Sequence, residues 1–418
     1  MKFTWKWLLD HLETENNLSE ILQELPKLGL EVASVINLEE DLKNFVSVEI
    51  IDVKKHPNAD KLNVCKVFDG KNTFKVVCGA PNVKLGMKSV FANIGTFIPG
   101  LNLKLKKGKI RGEESFGMLC SEKELTLSEN HNGIIELESS SELGLSVSDI
   151  MDLNDPIIEI EITPNRSDCL GVRGIARDLA AAGMGNLKDL DVKFNDGEFE
   201  SIINWHVDLD EEEKYLCPKI FGRSFTHLKN DKSPLWLRNR LIAVDQRPIS
   251  SIVDITNYIM IDIGRPLHAY DIDKIKGTTL SISKAKKGEK FSALNGNTYE
   301  LDDNMLIITD EQSVDDLAGI MGGERTGVTA NTTRMFLEAA IFDPISIANT
   351  GRKLNLNSDA RYRFERGLDY NSPETVMHYA AAMFTKICGG KFSKIVNFKL
   401  DHKKRIIKFD PNIIYQLT

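Results

Sequence analysis

Apolar residues at the start of the chain recur at helical spacing and then give way to alternation. Trp5, Leu8, Leu9 and Leu12 mark one face of a helix, a second helix runs from Ser19 toward Leu25, and after Gly29 the stretch Glu31–Ile36 reads as a strand. From Phe45 to Leu137 the period shortens to that of β structure. Runs at Phe45–Val53, Leu62–Phe68, Thr73–Val77, Ser89–Phe91, Leu101–Leu105 and Gly133–Leu137 are separated by Gly and Asn turns, the pattern of a small barrel or sandwich. Ile157–Thr163 alternates isoleucine with acid, Pro164-Asn165 breaks it, and a helix is expected from about Asp168 to Ala182, stopped by Gly183 and Gly185. Residues 186–212 are polar and acidic and read as a linker. The remainder is mixed. Ser233-Pro234, Asp343-Pro344 and Ser372-Pro373 each set a capping residue before a first-turn proline. Between them Leu280–Ala285, Lys290–Leu294, Thr298–Leu301 and Met305–Thr309 read as strands, with Asn295-Gly296 as a hairpin turn. A last strand is expected over Arg405–Phe409, followed by a turn at Asp410-Pro411-Asn412.

Composition narrows the class. A chain of 418 residues predicts two to four domains, and 42% apolar with 27% charged residues is ordinary for a globular protein. The net charge of −8 excludes a global cationic field, so any contact with nucleic acid needs a local patch. The six cysteines lie far apart with no Cys-x-x-Cys pair, so no metal site is expected, and they read as reduced cytosolic thiols, Cys78 and Cys120 as packing residues. Asp10 and Glu13 interrupt any signal-peptide core and no apolar run is long enough to span a bilayer, so a cytoplasmic chain with no membrane partner is expected. One patch stands out against the acidic background. Lys104, Lys106, Lys107, Lys109 and Arg111 place five cations within eight residues. On a β-ribbon they project together and can pair with phosphates; a solvated strand face is the alternative.

Three longer motifs surround that patch: His56-Pro57-Asn58-Ala59-Asp60-Lys61-Leu62, Val77-Cys78-Gly79-Ala80-Pro81-Asn82-Val83, and Gly112-Glu113-Glu114-Ser115-Phe116-Gly117-Met118-Leu119-Cys120-Ser121-Glu122. Together they resemble the tRNA-binding OB-fold module attached to several aminoacyl-tRNA synthetases. Gly79, Gly86, Gly112 and Gly117 would permit its tight turns, and the Asn58–Lys61 loop could order its first strand. On either side, Trp5-Lys6-Trp7-Leu8, Gly29-Leu30-Glu31-Val32 and the segment from Ile162-Thr163-Pro164-Asn165-Arg166 to Arg177 are similar to the β-subunit family of bacterial phenylalanyl-tRNA synthetases. So are Asp254-Ile255-Thr256-Asn257-Tyr258, Gly264-Arg265-Pro266-Leu267-His268-Ala269-Tyr270-Asp271, Leu317-Ala318-Gly319-Ile320-Met321-Gly322-Gly323-Glu324, and Ser358-Asp359-Ala360-Arg361-Tyr362-Arg363-Phe364-Glu365-Arg366-Gly367.

The resemblance covers essentially the whole chain. It implies an α+β multidomain protein in which an OB-fold β-barrel (41–148) is inserted in a small split α/β domain (1–40 and 150–190), followed by a mixed α+β editing domain (200–398, B3/B4-like) and the start of a further, B5-like domain (402–418). It further implies tRNA(Phe) and an α subunit as partners in an α2β2 heterotetramer, with ATP and Mg2+ serving ligation on the α subunit and no cofactor in this chain. Family members continue through further domains, so a fragment or a shortened protein is expected. The departure at Asp315-Asp316, where small or apolar residues would precede Leu317, puts the shape of that strand in question.

The chemistry implied is proofreading. Tyrosine differs from phenylalanine by one hydroxyl, and a buried carboxylate can accept a hydrogen bond from it, which phenylalanine cannot supply. The resemblance puts that carboxylate at Glu324, lets Gly319, Gly322 and Gly323 bring backbone close to substrate, and lines the pocket with Thr256, Asn257 and His268. His268 is either a general base or a group that orients substrate. Arg361, Arg363 and Arg366 could bind phosphate or simply be ion-paired at a helix start. The expected function is tRNA binding and hydrolysis of tyrosyl-tRNA(Phe); a free-standing editing hydrolase and a non-catalytic tRNA-binding scaffold are the alternatives.

Overall fold

The structure, a computed structural model, describes residues 1–128, 130–151, 153–192, 194–401 and 406–417. Thr4 accepts a hydrogen bond from the Trp7 amide and so caps the helix Trp5–His11; Asn17 and Glu20 form a reciprocal capping box that starts the helix Leu18–Glu24. Gly29, at φ 75°, ends the following turn and sends the chain into the strand Glu31–Ile36. That strand and Lys2–Thr4 do not pair with each other. Both pair with Ile157–Glu161, which enters between them with Ile158 opposite Phe3 on one side and Val35 on the other. Ile158 and Ile160 face the core and the acids face outward, as the alternation predicts.

Residues 45–146 lie between the halves of this sheet. Five strands run in the order Gly117–Leu119, Lys88–Asn93, Phe45–His56, Ala59–Phe68, Thr73–Cys78. Hydrogen bonds from the Phe116 amide to the Lys75 carbonyl and from the Val77 amide to the Ser115 hydroxyl nearly close the sheet into a barrel. The run Leu101–Leu105 is a strand only at Leu103–Lys104, because the turn Pro99–Leu101 ends at a left-handed Asn102. Gly133–Leu137 forms no named strand; it is bridged at Glu136 to Ser89 and held by bonds from the Ile135 amide to the Cys120 carbonyl and from the Leu137 amide to the Lys88 carbonyl. Val46 and Ser146 are bridged, so the chain enters and leaves the barrel at one place.

The expected helix over Asp168–Ala182 is α-helical only at Val172–Ala181, after a tight turn at Ser167–Cys169. The segment 186–212 is not a linker. Asn186–Leu187 pairs with Leu12–Glu13, and Asn204–Val207 is a parallel edge strand against Thr279–Lys284. Its two half-buried residues, Trp205 and Val207, are hidden among acids in the sequence.

Beyond residue 200 two sheets meet. One runs Asn204–Val207, Thr279–Lys284, Leu306–Thr309, Val314–Leu317, Met321–Gly322; the other is built on Lys219–Thr226 and Met335–Ile341, with His268–Asp271 at one edge. The helices Ser251–Ile263 and Ser372–Cys388 pack together beside the second sheet. Their core is continuous with that of the N-terminal sheet, taking in Phe3, Trp7, Leu8, Ile255, Ile259 and Phe384. At its centre the buried Asp262 carboxylate accepts hydrogen bonds from Trp7 Nε1 (2.7 Å), His11 Nε2 (2.6 Å) and the Tyr379 hydroxyl (2.8 Å). The barrel keeps two small cores of its own. At the far end, 406–409 form no strand, Arg405 lies with 402–404 outside the described residues, and Asn412–Leu417 is a short helix.

Candidate active site

The strands His268–Asp271 and Met335–Ile341 pair antiparallel with His268 directly opposite Glu338. Residues opposite each other share a face, so the imidazole and the carboxylate meet over one spot. Asp316 reaches the same spot from the neighbouring sheet, where it pairs with Gly322. These residues, with Pro266, Gly319, Met321 and Ala360, line a cleft of about 360 Å³ counting its open mouth. Tyr270 sits beneath His268 in edge-on contact, and its hydroxyl lies 2.8 Å from Glu338 Oε2 and 3.1 Å from Asp316 Oδ2. His268 Nε2 is shielded from solvent, has no hydrogen-bond partner among the described residues, and stands 3.9 Å from Asp316 Oδ2. Burial holds the imidazole down at about 4, so it is neutral near pH 7. Burial, opposed by the Tyr270 hydrogen bond, raises the Glu338 carboxyl to about 7; burial and the facing Glu338 push Asp316 well above the usual carboxylate range.

Of the residues expected here, His268, Gly319 and Gly322 line the cleft. A Cβ on Gly322 would overlap the His268 ring, so glycine at this position is what lets the imidazole lie across the strand. Gly319 has φ 69°, a backbone conformation that favours glycine. Thr256 and Asn257 lie on the helix Ser251–Ile263 and do not line the cleft; the Thr256 hydroxyl turns back to the Val253 carbonyl. Gly323 is occupied with backbone pairing to Asp315 and Ala293. Glu324 is the clear correction. Its amide bonds the Ser292 carbonyl, the chain turns away, and its side chain is exposed. The buried carboxylate is Glu338. It is the one charged residue in the run Met-Phe-Leu-Glu-Ala-Ala-Ile, all of it buried, and that lone acid in an apolar strand is the signal that could have found it. The strand Val314–Leu317 forms despite its two acids. Asp315 points to the opposite face from Asp316, where Arg325 engages it together with Asp310.

The basic run is not one strand. Lys104 ends a two-residue strand and Lys106 and Lys107 cross a loop. Lys109 lies in Gly108–Ile110, which turns through Arg111-Gly112 into Glu113–Ser115. Both turn residues have positive φ, 49° and 101°, as a tight two-residue hairpin requires. His56 Nε2 donates to the Ile110 carbonyl (3.0 Å) while Nδ1 accepts from the Asn58 amide, and the Asn58 side-chain amide donates to the Arg111 carbonyl (3.1 Å). The His56–Lys61 turn thus holds this hairpin. All five cations are exposed; Lys107 pairs with Glu114 at 2.8 Å and covers the Phe116 ring. Gly86, Gly112 and Gly117 have positive φ, whereas Gly79 does not and packs against Leu62 instead. Arg361 and Arg363 are buried and bonded to the Leu356 and Leu170 carbonyls, and Arg366 pairs with Glu365. Asp168, Cys169 and Asp178 cluster, but Arg166 and Arg177 already neutralise the two acids. All six cysteines are free and buried, and burial raises the Cys65 thiol to about 12. No helix among the described residues is long and apolar enough to cross a membrane.

Comparison with known proteins gives two family matches. Residues 45–146 match the family described as "Putative tRNA binding domain" and 216–389 match the "B3/4 domain". The phenylalanine–tRNA ligase beta subunit of Paramagnetospirillum magneticum is 48% identical, over 100% of this chain and 52% of that protein. That of Cereibacter sphaeroides is 47% identical, over 100% of this chain and 53% of that protein. Over its whole length the chain is similar to phenylalanine–tRNA ligase beta subunits. It spans about half the length of these relatives. Among solved structures, an N-terminal fragment of the phenylalanyl-tRNA synthetase beta-subunit from Pyrococcus horikoshii is similar at 16% identity over 63% of this chain and 72% of that one, with a TM-score of 0.32. Within the phenylalanine–tRNA ligase match, the tRNA-binding segment coincides with the barrel, and the B3/4 segment contains every residue that lines the cleft.

Proposed function

We propose that this chain is the tRNA-binding and editing portion of a phenylalanine–tRNA ligase beta subunit. In this reading 41–148 is an OB-fold that holds tRNA(Phe) through Lys104, Lys106, Lys109 and Arg111, inserted into a split domain of 1–40 and 150–190. Residues 200–398 hydrolyse tyrosyl-tRNA(Phe), and 402–418 lead into a further domain. ATP and Mg2+ serve ligation on a partner α subunit, in an α2β2 assembly in the cytoplasm, and no step in the cleft uses them.

One observation carries the reading: a buried carboxylate, Glu338, faces the unpartnered His268 Nε2 across a cleft. Tyr270 takes Glu338 Oε2, and Oε1 has no hydrogen bond among the described residues. A tyrosyl phenol donates to it. A phenylalanyl ring would desolvate the carboxylate without pairing it, at a cost of about 1–3 kcal/mol, or roughly 5- to 150-fold in preference. In the hydrolysis, water adds to the ester carbonyl, the bond to the terminal ribose breaks, and tyrosine and free tRNA leave. His268 is neutral and a weak base at its lowered pKa, which supports orientation of water or carbonyl over proton abstraction as its role.

The test is to follow ester cleavage on tyrosyl-tRNA and phenylalanyl-tRNA. Tyrosyl-tRNA should be cleaved faster. Glu338→Ala should erase that preference while tRNA binding persists, and Glu324→Ala should leave it within about 2-fold. Equal cleavage of the two esters by the intact chain overturns the selectivity assigned to Glu338, and no cleavage overturns the reading in favour of a binding scaffold.

A further inference from the structure

Three oxygens lie in a row beneath the cleft: Asp316 Oδ2, the Tyr270 hydroxyl and Glu338 Oε2, spaced 3.1 and 2.8 Å apart. Tyr270 is 0% exposed and the two carboxyls 4% each. A phenol carries one hydrogen and an ionised carboxylate carries none. With both carboxyls ionised, the hydroxyl could donate to one of them, and the other would press an anion against its lone pairs in a buried site. Both contacts are hydrogen bonds only when one carboxyl keeps a proton.

The surroundings do not supply another way to balance two charges. From the strand that carries Tyr270 the row is faced by His268, neutral near pH 7. The next residue on Asp316's own strand, Asp315, adds negative charge, and its partner Arg325 is engaged with Asp310 and Asp315 on the other face. Beside Glu338 lies the buried Cys217 thiol. Among the described residues none of the groups facing the row is a cation. Desolvation and mutual repulsion then drive a proton onto the pair. The Tyr270 hydroxyl lies closer to Glu338 (2.8 Å) than to Asp316 (3.1 Å), as a donor lies closer to an ionised acceptor, and Asp315 adds its repulsion beside Asp316, so the proton falls on Asp316.

We propose that Asp316 is a positioning residue that carries the proton of a shared carboxylic acid pair: Asp316 donates to the Tyr270 hydroxyl, Tyr270 donates to Glu338, and Glu338 is held as the ionised acceptor for the substrate's phenol. This rests on the editing function proposed above, because substrate selection is what reads the orientation of Glu338. The direction of the relay makes the second acid an aid where two free anions would destroy the site. It also sets limits in pH. As pH falls through the Glu338 transition the acceptor becomes a donor. As pH rises through the Asp316 transition the relay loses its proton, Tyr270 can bond only one of two anions, and the preference for tyrosyl ester falls.

Asparagine offers an N–H in place of the acid's O–H and has no proton to lose, whereas leucine offers neither. The tyrosyl-over-phenylalanyl cleavage ratio is measured against pH for the wild type, D316N and D316L, with tRNA binding as a folding control. D316L should lose about 10-fold of the ratio at every pH. D316N should restore most of it at neutral pH and lack the alkaline fall. The infrared difference spectrum of wild type minus D316N, recorded without substrate, should show the carbonyl band of a protonated carboxylic acid at neutral pH. Absence of that band, or an alkaline fall unchanged in D316N, overturns the proposal. A band present in a chain that cleaves no tyrosyl-tRNA upholds the proton-sharing pair and overturns the editing function instead.

Discussion

At the scale of single residues, the cleft stores a charge problem that stability measurements can read. In the unfolded chain Asp316 titrates near 3.9, and in the fold its pKa is raised by burial and by Glu338. Between those two values the folded protein binds a proton that the unfolded chain has released, so stability falls as pH rises across that window. D316N is free of this loss. Its melting temperature relative to wild type should therefore climb steadily from pH 4 upward; a difference that stays constant with pH would mean that Asp316 does not hold its proton. The same residues show what could be read from sequence. His268, Gly319 and Gly322 were legible because their motifs sit on the strand and hairpin that form the cleft. Glu324 misled because it follows two glycines into a turn, and the backbone hydrogen bonds that carry it outward join Ser292 and Asp315, residues distant in sequence. The acid that does reach the cleft sits inside an apolar strand, where a charge is most costly and therefore most informative.

At the scale of elements, the basic hairpin divides its cations into two kinds. Lys107 is already paired with Glu114, while Lys104, Lys106, Lys109 and Arg111 are exposed around it. Each phosphate contact displaces a condensed counterion, so removing one contacting cation should flatten the salt dependence of tRNA affinity by about 0.7–0.9 in the log–log slope. Alanine at Lys106, Lys109 or Arg111 should produce that change, and Lys107→Ala a smaller one. Equal slopes for all four variants would place the RNA elsewhere on the barrel. Asp343 before Pro344 and the turn at Asn295-Gly296 are as read, because both signals act within a few residues. Ser233 and Ser372 are not caps: Pro234 and Asn371 hold those positions, and the Ser233 hydroxyl donates to the distant Asp254 instead. Leu101–Leu105 is cut short by the left-handed Asn102, while Gly133–Leu137 and the parallel edge Asn204–Val207 depend on partners far along the chain, which no local pattern names.

At the scale of the whole molecule, Asp262 joins parts of the chain separated by hundreds of residues. It is fully buried; that burial opposes its charge, but hydrogen bonds from His11, Trp7 and Tyr379 prevail and hold its carboxyl below the usual value. A lowered folded pKa means stability that is present above about pH 4 and lost as pH falls through the folded value. Asp262→Ala strands three buried donors and should cost about 3–5 kcal/mol. Because the N-terminal sheet and the helices around Ile255 and Phe384 share one core while the barrel has its own, calorimetry should show the larger transition moving down and the barrel's staying in place. A uniform downward shift of all unfolding would refute that division. That the helices around Ile255 and Phe384 share a core with the N-terminal sheet, beside a second core around Tyr270 and Phe336, was not legible in the sequence, because no local pattern says which apolar face meets which.

The strand Ile157–Glu161, inserted between Lys2–Thr4 and Glu31–Ile36, also sets an order of events at the ribosome. Those two strands are made before it and have no partner until it emerges, on the order of ten seconds later at ordinary elongation rates. Trp7 and His11 wait longer still for Asp262. The barrel, bridged from Val46 to Ser146, is complete first. The stretch around Trp5–His11 is thus made well before its partners, and during synthesis its apolar helix face is the surface that needs shelter.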